Sequence, residues 1–131
     1  MIEITQTPIL PEAVISKVRK DAYGCIVTFV GTVRGLSSGK RVLFLEFDTS
    51  AKGLVQKELQ QIAREIQAKW QLEDVAICHR IGRLKVGEIT LVIAIAAPHR
   101  QEAFEACQYA VDRLKQIAPT WKKEATEGDQ V

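Results

Sequence analysis

Apolar positions along this chain alternate in some stretches and recur every three or four residues in others, and the two periods divide it into strands and helices. The opening MIEITQT alternates as a strand does, and PEAVISKVRK begins with Pro11, which the first turn of a helix tolerates. GCIVTFVGTVR is β-branched and aromatic, a second strand, and GLSSGKR then turns the chain into VLFLEFD, its expected hairpin partner. Residues 50 to 70 give the strongest helical pattern: Val55, Leu59, Ile62, Ile66 and Trp70 fall on one stripe, with Ser50 as N-cap. DVAICHRIG alternates, with Val75, Ile77, His79 and Ile81 on one face. RLKVGE turns the chain into ITLVIAIAA, a run apolar enough to be buried on both faces. A second long helix follows Pro98, with Phe104, Cys107, Val111 and Leu114 inward, and Pro119 lies just past its end.

The predicted order is β-α-β-β-α-β-β-α, with a short final strand near Lys122. Hairpins mixed with crossover helices predict an α+β fold: three helices and a mixed or antiparallel sheet. With no repeat, low-complexity tract or linker, residues 1–131 read as one domain.

Composition narrows the classes. Apolar residues at 47% and charged residues at 26% suit a globular protein, and a net charge of +2 leaves no general basic surface for nucleic acid or membrane. Cys25, Cys78 and Cys107 are far apart in apolar runs and read as buried free thiols of a reducing compartment. The run ITLVIAIAAP is too short to span a bilayer and the N-terminus lacks signal-peptide form, so the expected location is cytoplasmic.

Familiar motifs fail. In GLSSGKR the spacing from Gly35 to Gly39 and Lys40 is one residue short of a phosphate loop, and Arg41 stands where a metal-binding hydroxyl belongs. Two histidines and scattered cysteines give no metal-ligand spacing.

Three places carry chemistry that folding does not obviously need. In GTVRG, Arg34 closes a strand between two glycines, where a guanidinium makes a phosphate fork or merely ends a solvated strand. In APHRQEAF, His99 and Arg100 open the last helix, whose free N–H groups favour anions; a cation there asks for a bound anion. In LKQIAPTWKKEAT, either Lys115 is no more than a cation answering the field of a helix end, or the turn at Pro119 folds Lys122 back beside it as an anion site. At ~1.5 Å per residue the two ends of that helix are ~24 Å apart, too far for one small ligand. Either there are two sites, or two chains combine opposite helix ends in one. His79 reads as a satisfied sheet histidine, and Trp70 and Trp121 as packing anchors.

Together, VTFVGTVRG, HRIGRLKVGE, APHRQEAFEACQYAVDRLKQIAPTWKKE and the trailing GD resemble the large, catalytic subunits of molybdopterin synthase, the MoaE family, over residues 23 to 129. DTSAKGL departs from the tyrosine-containing stretch usual there. The resemblance implies an α/β-hammerhead-type fold. It implies an enzyme that converts cyclic pyranopterin monophosphate to molybdopterin by installing two dithiolene sulfurs. The sulfur donor is the C-terminal thiocarboxylate of a small ubiquitin-like subunit, and no metal or redox cofactor is called for. Two large subunits would form a central homodimer within a heterotetramer, each site drawing residues from both, which would resolve the distance conflict. The implied site residues are Arg34, His99, Arg100, Lys115 and Lys122, flanked by Thr32, Val33, Lys123 and Glu124, with Lys115 and Lys122 catalytic. Crowded ammonium groups depress each other's pKa, which would suit one of these lysines to proton transfer. The competing readings are a module that only docks a ubiquitin-like tail and an RNA-binding domain; aromatics at 6% argue against the latter.

Overall fold

The computed structural model describes residues 1–127; the GD pair at Gly128 and Asp129 lies outside the described residues. The larger sheet takes β1 (Ile2–Thr5), β5 (Val75–Arg80), β7 (Ile89–Ala97) and β2 (Cys25–Thr32) in the order β1-β5-β7-β2. β1 runs parallel to β5, while β5–β7 and β7–β2 are antiparallel. The smaller sheet is built on β4 (Lys40–Phe47), paired with β3 (Leu36–Ser37), β6 (Gly82–Leu84) and β8 (Lys122–Thr126). Three helices complete the α+β fold: α1 (Pro11–Ser16), α2 (Lys52–Trp70) and α3 (Arg100–Ile117).

The central strands explain the apolar runs. From Leu91 to Ala97, β7 is buried on both faces, as its composition predicts. One face packs Ile77, Ile93 and Ile95 against α2 and α3; the other packs Ala76, Val92 and Ala94 against Val14 of α1 and Val18. Val55, Leu59, Ile62 and Ile66 of α2 are fully buried, as their stripe requires, while Trp70 is half-buried with its ring edge-on to Tyr109. Glu65 of α2 accepts hydrogen bonds from Tyr109 Oη at 2.6 Å and Arg113 Nε at 2.8 Å, which clamps α2 to α3.

Four expectations are corrected. β2 and β4 are not a hairpin pair: β2 pairs with β7 and β4 belongs to the smaller sheet, because the chain leaves the first sheet after Thr32. Phe104 does not face inward but is 59% exposed; the buried face of α3 is Ala103, Ala106, Cys107, Ala110 and Leu114. Small side chains let that helix lie close on the sheet, and the stripe they define is rotated away from Phe104. Ser50 does not cap α2; it sits in a 3-10 turn, Thr49–Ala51, where Asp48 accepts from its N–H at 2.9 Å. Cys25, on edge strand β2, is only half-buried, whereas Cys78 and Cys107 are buried as expected. The final strand near Lys122 is present as β8.

Candidate active site

Arg34 is placed by an irregularity. The register of β2 on β7 slips between Gly31 and Thr32, and Val33 then exchanges backbone bonds with the turn before β7. Its N–H donates to the Glu88 carbonyl at 3.0 Å and its carbonyl accepts from Gly87 at 2.8 Å. Val33 is thus buried while Thr32 and Arg34 project outward.

The lysines are brought together by the end of α3. Lys115 stands in its last turn, where the helix dipole favours a cation. The 3-10 turn Ala118–Thr120, with Pro119 in its first positions, reverses the chain. Trp121 is buried, its ring centroid 5.7 Å from Phe47 and 4.9 Å from His79, and its carbonyl accepts from Asp48 N–H at 3.0 Å. That anchor starts β8, so Lys122 pairs with Phe47 and Glu124 with Leu45.

Thr32, Val33, Arg34, Lys115, Lys122 and Glu124 all line one cavity of about 480 Å³. Arg34, Lys115 and Lys122 are exposed at its rim; Leu45, Phe47, Leu91 and Leu114 are buried at its base. Strand alternation separates Lys123 from this set. It lines a neighbouring groove of about 460 Å³ with Glu46, Asp48 and Thr49, and Lys122 borders both.

His99 and Arg100 lie elsewhere, as the helix length requires. His99 occupies the N-cap position of α3 without a side-chain cap bond, and both residues border a groove with Gly24 and Cys25. Gly24 is packed so closely on the Pro98 carbonyl oxygen that a Cβ would approach it to 2.7 Å. Among the described residues, no ion pair engages Arg34, Arg100, Lys115, Lys122 or Lys123. The chain therefore presents two cationic surfaces at opposite ends of α3, suited to anionic groups.

One lining residue escaped the sequence reading. His79 is 3% exposed, as a sheet histidine should be, yet it borders the same cavity as the two lysines. Its Nδ1 is 2.7 Å from the Arg80 carbonyl, so Nδ1 carries the proton and donates. Burial, reinforced by the Lys122 charge, pushes its pKa down to about 4 against the Arg80 hydrogen bond, so the imidazole is neutral at physiological pH. Alternation placed His79 inward, but nothing local indicates what lies in front of its ring.

Among the described residues no cluster of His, Cys, Asp and Glu could hold a metal ion, and no helix is long and apolar enough to cross a membrane.

Comparison with known proteins gives these features a context. The family model described as "MoaE protein" matches residues 4–117. The chain is 50% identical over 129 residues to the molybdopterin synthase catalytic subunit of Bacillus subtilis, covering 98% of this chain and 82% of that protein. It is 44% identical over 128 residues to that of Halalkalibacterium halodurans, covering 98% and 81%. Among solved structures, the crystal structure of molybdopterin synthase from Staphylococcus aureus superposes with a TM-score of 0.87 at 37% identity, covering 97% of this chain and 92% of that one.

Proposed function

The chain belongs to the MoaE family, the catalytic subunits of molybdopterin synthase, and we propose that it works as a sulfurtransferase on cyclic pyranopterin monophosphate. Sulfur arrives as the C-terminal thiocarboxylate of a small ubiquitin-like subunit, and two transfers build the dithiolene of molybdopterin. The observation that carries this reading is the convergence of Arg34, Lys115 and Lys122 on one cavity with an apolar base.

Substrate phosphate and donor thiocarboxylate are both anionic, which matches a rim made of donors without anionic partners of their own. Arg34 offers a fork to the phosphate. Lys115 meets the partner's tail and handles protons during transfer, while Lys122 stabilises charge on the pterin and on the opening phosphate. Thr32, Val33 and Glu124 complete the substrate wall, and Lys123 contacts from the neighbouring groove. The step as proposed draws on these side chains and the partner's sulfur, without a metal or redox cofactor.

His99 and Arg100 enter this scheme from a second copy of the chain. A homodimer with α3 helices opposed would set the N-terminal pair of one against the cavity of the other, with one small subunit at each outer end. The ~24 Å along α3 supports that arrangement over a single-chain site. The compartment of the reaction is the cytoplasm.

A single-turnover assay tests the proposal. The protein is mixed with thiocarboxylated small subunit and cyclic pyranopterin monophosphate, and dithiolene is followed as its oxidised fluorescent derivative. Product from wild type and none from Lys115→Ala is expected. Absence of product from wild type, with the partner still bound, would replace the enzyme by a docking module.

A further inference from the structure

The cavity is asymmetric in hydrogen-bonding character. Arg34, Lys115 and Lys122 at the rim are donors only. The Glu124 carboxylate, half-buried, and the Thr32 hydroxyl, exposed, supply acceptors toward the outside. At the base stand apolar side chains and His79, held edge-on by Phe47 at 4.7 Å and Trp121 at 4.9 Å between ring centroids. A ring so confined has one orientation, and its Nδ1–H is already spent on the Arg80 carbonyl.

That leaves Nε2, whose lone pair can only accept. Among the described residues the buried side-chain polar atom without a partner is Arg80 Nε, and no protein group bonds His79 Nε2. Nε2 is therefore neither bonded nor sealed in the core, and the cavity is the open space that His79 borders. Solvent in the open cavity can donate to such an acceptor, and a ligand that displaces this solvent has to supply a donor in its place, so an acceptor kept at the base of a binding cavity calls for a donor from the ligand.

We infer that His79 Nε2 accepts a hydrogen bond from an N–H of the bound substrate's heterocycle and thereby sets which end of the substrate enters first. This rests on the function proposed above. An anionic phosphate cannot bind there, because a lone pair would face its oxygens; a pterin, flat and edged with ring N–H and amine donors, can. The apolar base takes the faces of the heterocycle, His79 takes its donor edge, and the phosphate is left at the cationic rim. A histidine kept neutral at physiological pH holds that polarity constant.

Two near-isosteric substitutions separate this role from a structural one. His79→Asn keeps a donor for the Arg80 carbonyl but removes the distal acceptor; His79→Gln restores an acceptor near the Nε2 position. Isothermal titration calorimetry of cyclic pyranopterin monophosphate, and separately of inorganic phosphate, is performed on wild type and both variants. His79→Asn is expected to raise Kd for the pterin about 10- to 100-fold and His79→Gln by less than about 3-fold, with phosphate affinity unchanged in both. Wild-type affinity in His79→Asn, or loss that follows melting temperature rather than the distal acceptor, overturns the inference. In the wild-type protein, 15N-histidine NMR gives a readout that no variant's folding can confound. The Nε2 resonance of His79, distinguished from the chain's other histidine, His99, must move on adding the pterin and not on adding phosphate. A stationary resonance in the pterin-bound protein also overturns it. If wild type binds phosphate but not the pterin, the proposed substrate itself is wrong and the inference falls with it; pterin binding indifferent to His79 removes the inference alone.

Discussion

Lys115 and Lys122 line the same cavity although a helix end, a proline turn and a buried tryptophan separate them along the chain. Neither side chain is needed for packing, since both are exposed. Lys115→Ala and Lys122→Ala should each lower single-turnover sulfur transfer by on the order of 10²–10⁴-fold. Unfolding free energy in urea should stay within about 0.5 kcal/mol of wild type. Equal losses of activity and stability would return both lysines to a structural role.

Gly24 should be intolerant of a side chain for a reason unrelated to backbone freedom. A Cβ there meets the Pro98 carbonyl oxygen at 2.7 Å, and backbone at that distance has to shift. Gly24→Ala is expected to cost about 1–3 kcal/mol, measured by urea denaturation. Because Pro98 precedes His99 and Arg100, it should also disturb the groove they border.

Acid should loosen the α2–α3 clamp in a defined window. Arg113, then Tyr109, holds the Glu65 carboxyl down to about 2 from an ordinary 4.5. Between those values the unfolded chain binds the extra proton, so stability rises with pH there and is lost as pH falls from about 4.5 through 2. Glu65→Gln should flatten that limb, removing about 1–2 kcal/mol of pH dependence once solvent screening of the partly exposed pair is allowed for. Urea midpoints at pH 2 to 6, compared between the two proteins, measure it.

The alanine face of α3 makes a packing prediction. Ala106 is fully buried, so Ala106→Leu should overfill the contact and cost about 1–3 kcal/mol. Gln108→Leu, at an exposed position of the same helix, should change stability by no more than about 0.5 kcal/mol. Similar effects at both positions would mean that α3 does not lie on the sheet as described.

Much of this molecule is local information. The full burial of Val55, Leu59, Ile62 and Ile66 follows from their helical spacing, and the two-faced burial of β7 from its unbroken apolar run. Pro119 and the lysines around it marked a helix end and a turn. Resemblance to the MoaE family picked out Arg34, Lys115 and Lys122, and helix length alone required His99 and Arg100 to lie far from Lys115.

Other features were invisible because they depend on what faces what across space. Phe104 carries the larger apolar side chain, yet alanines form the buried face of α3, since close approach to the sheet rewards small residues. The partner of β2 is β7 rather than the next strand in sequence, because the chain leaves the first sheet after Thr32 and β4 joins the other one. Alternation places Lys122 and Glu124 on one side of β8 and Lys123 on the other, but only after pairing with β4 is known do those sides become two different cavities. His79 shows the division most plainly. Sequence period determined that it points inward; only the tertiary structure decided that Phe47 and Trp121 flank it and that the cavity lies beyond, because periodicity records a side chain's direction and packing supplies its neighbours.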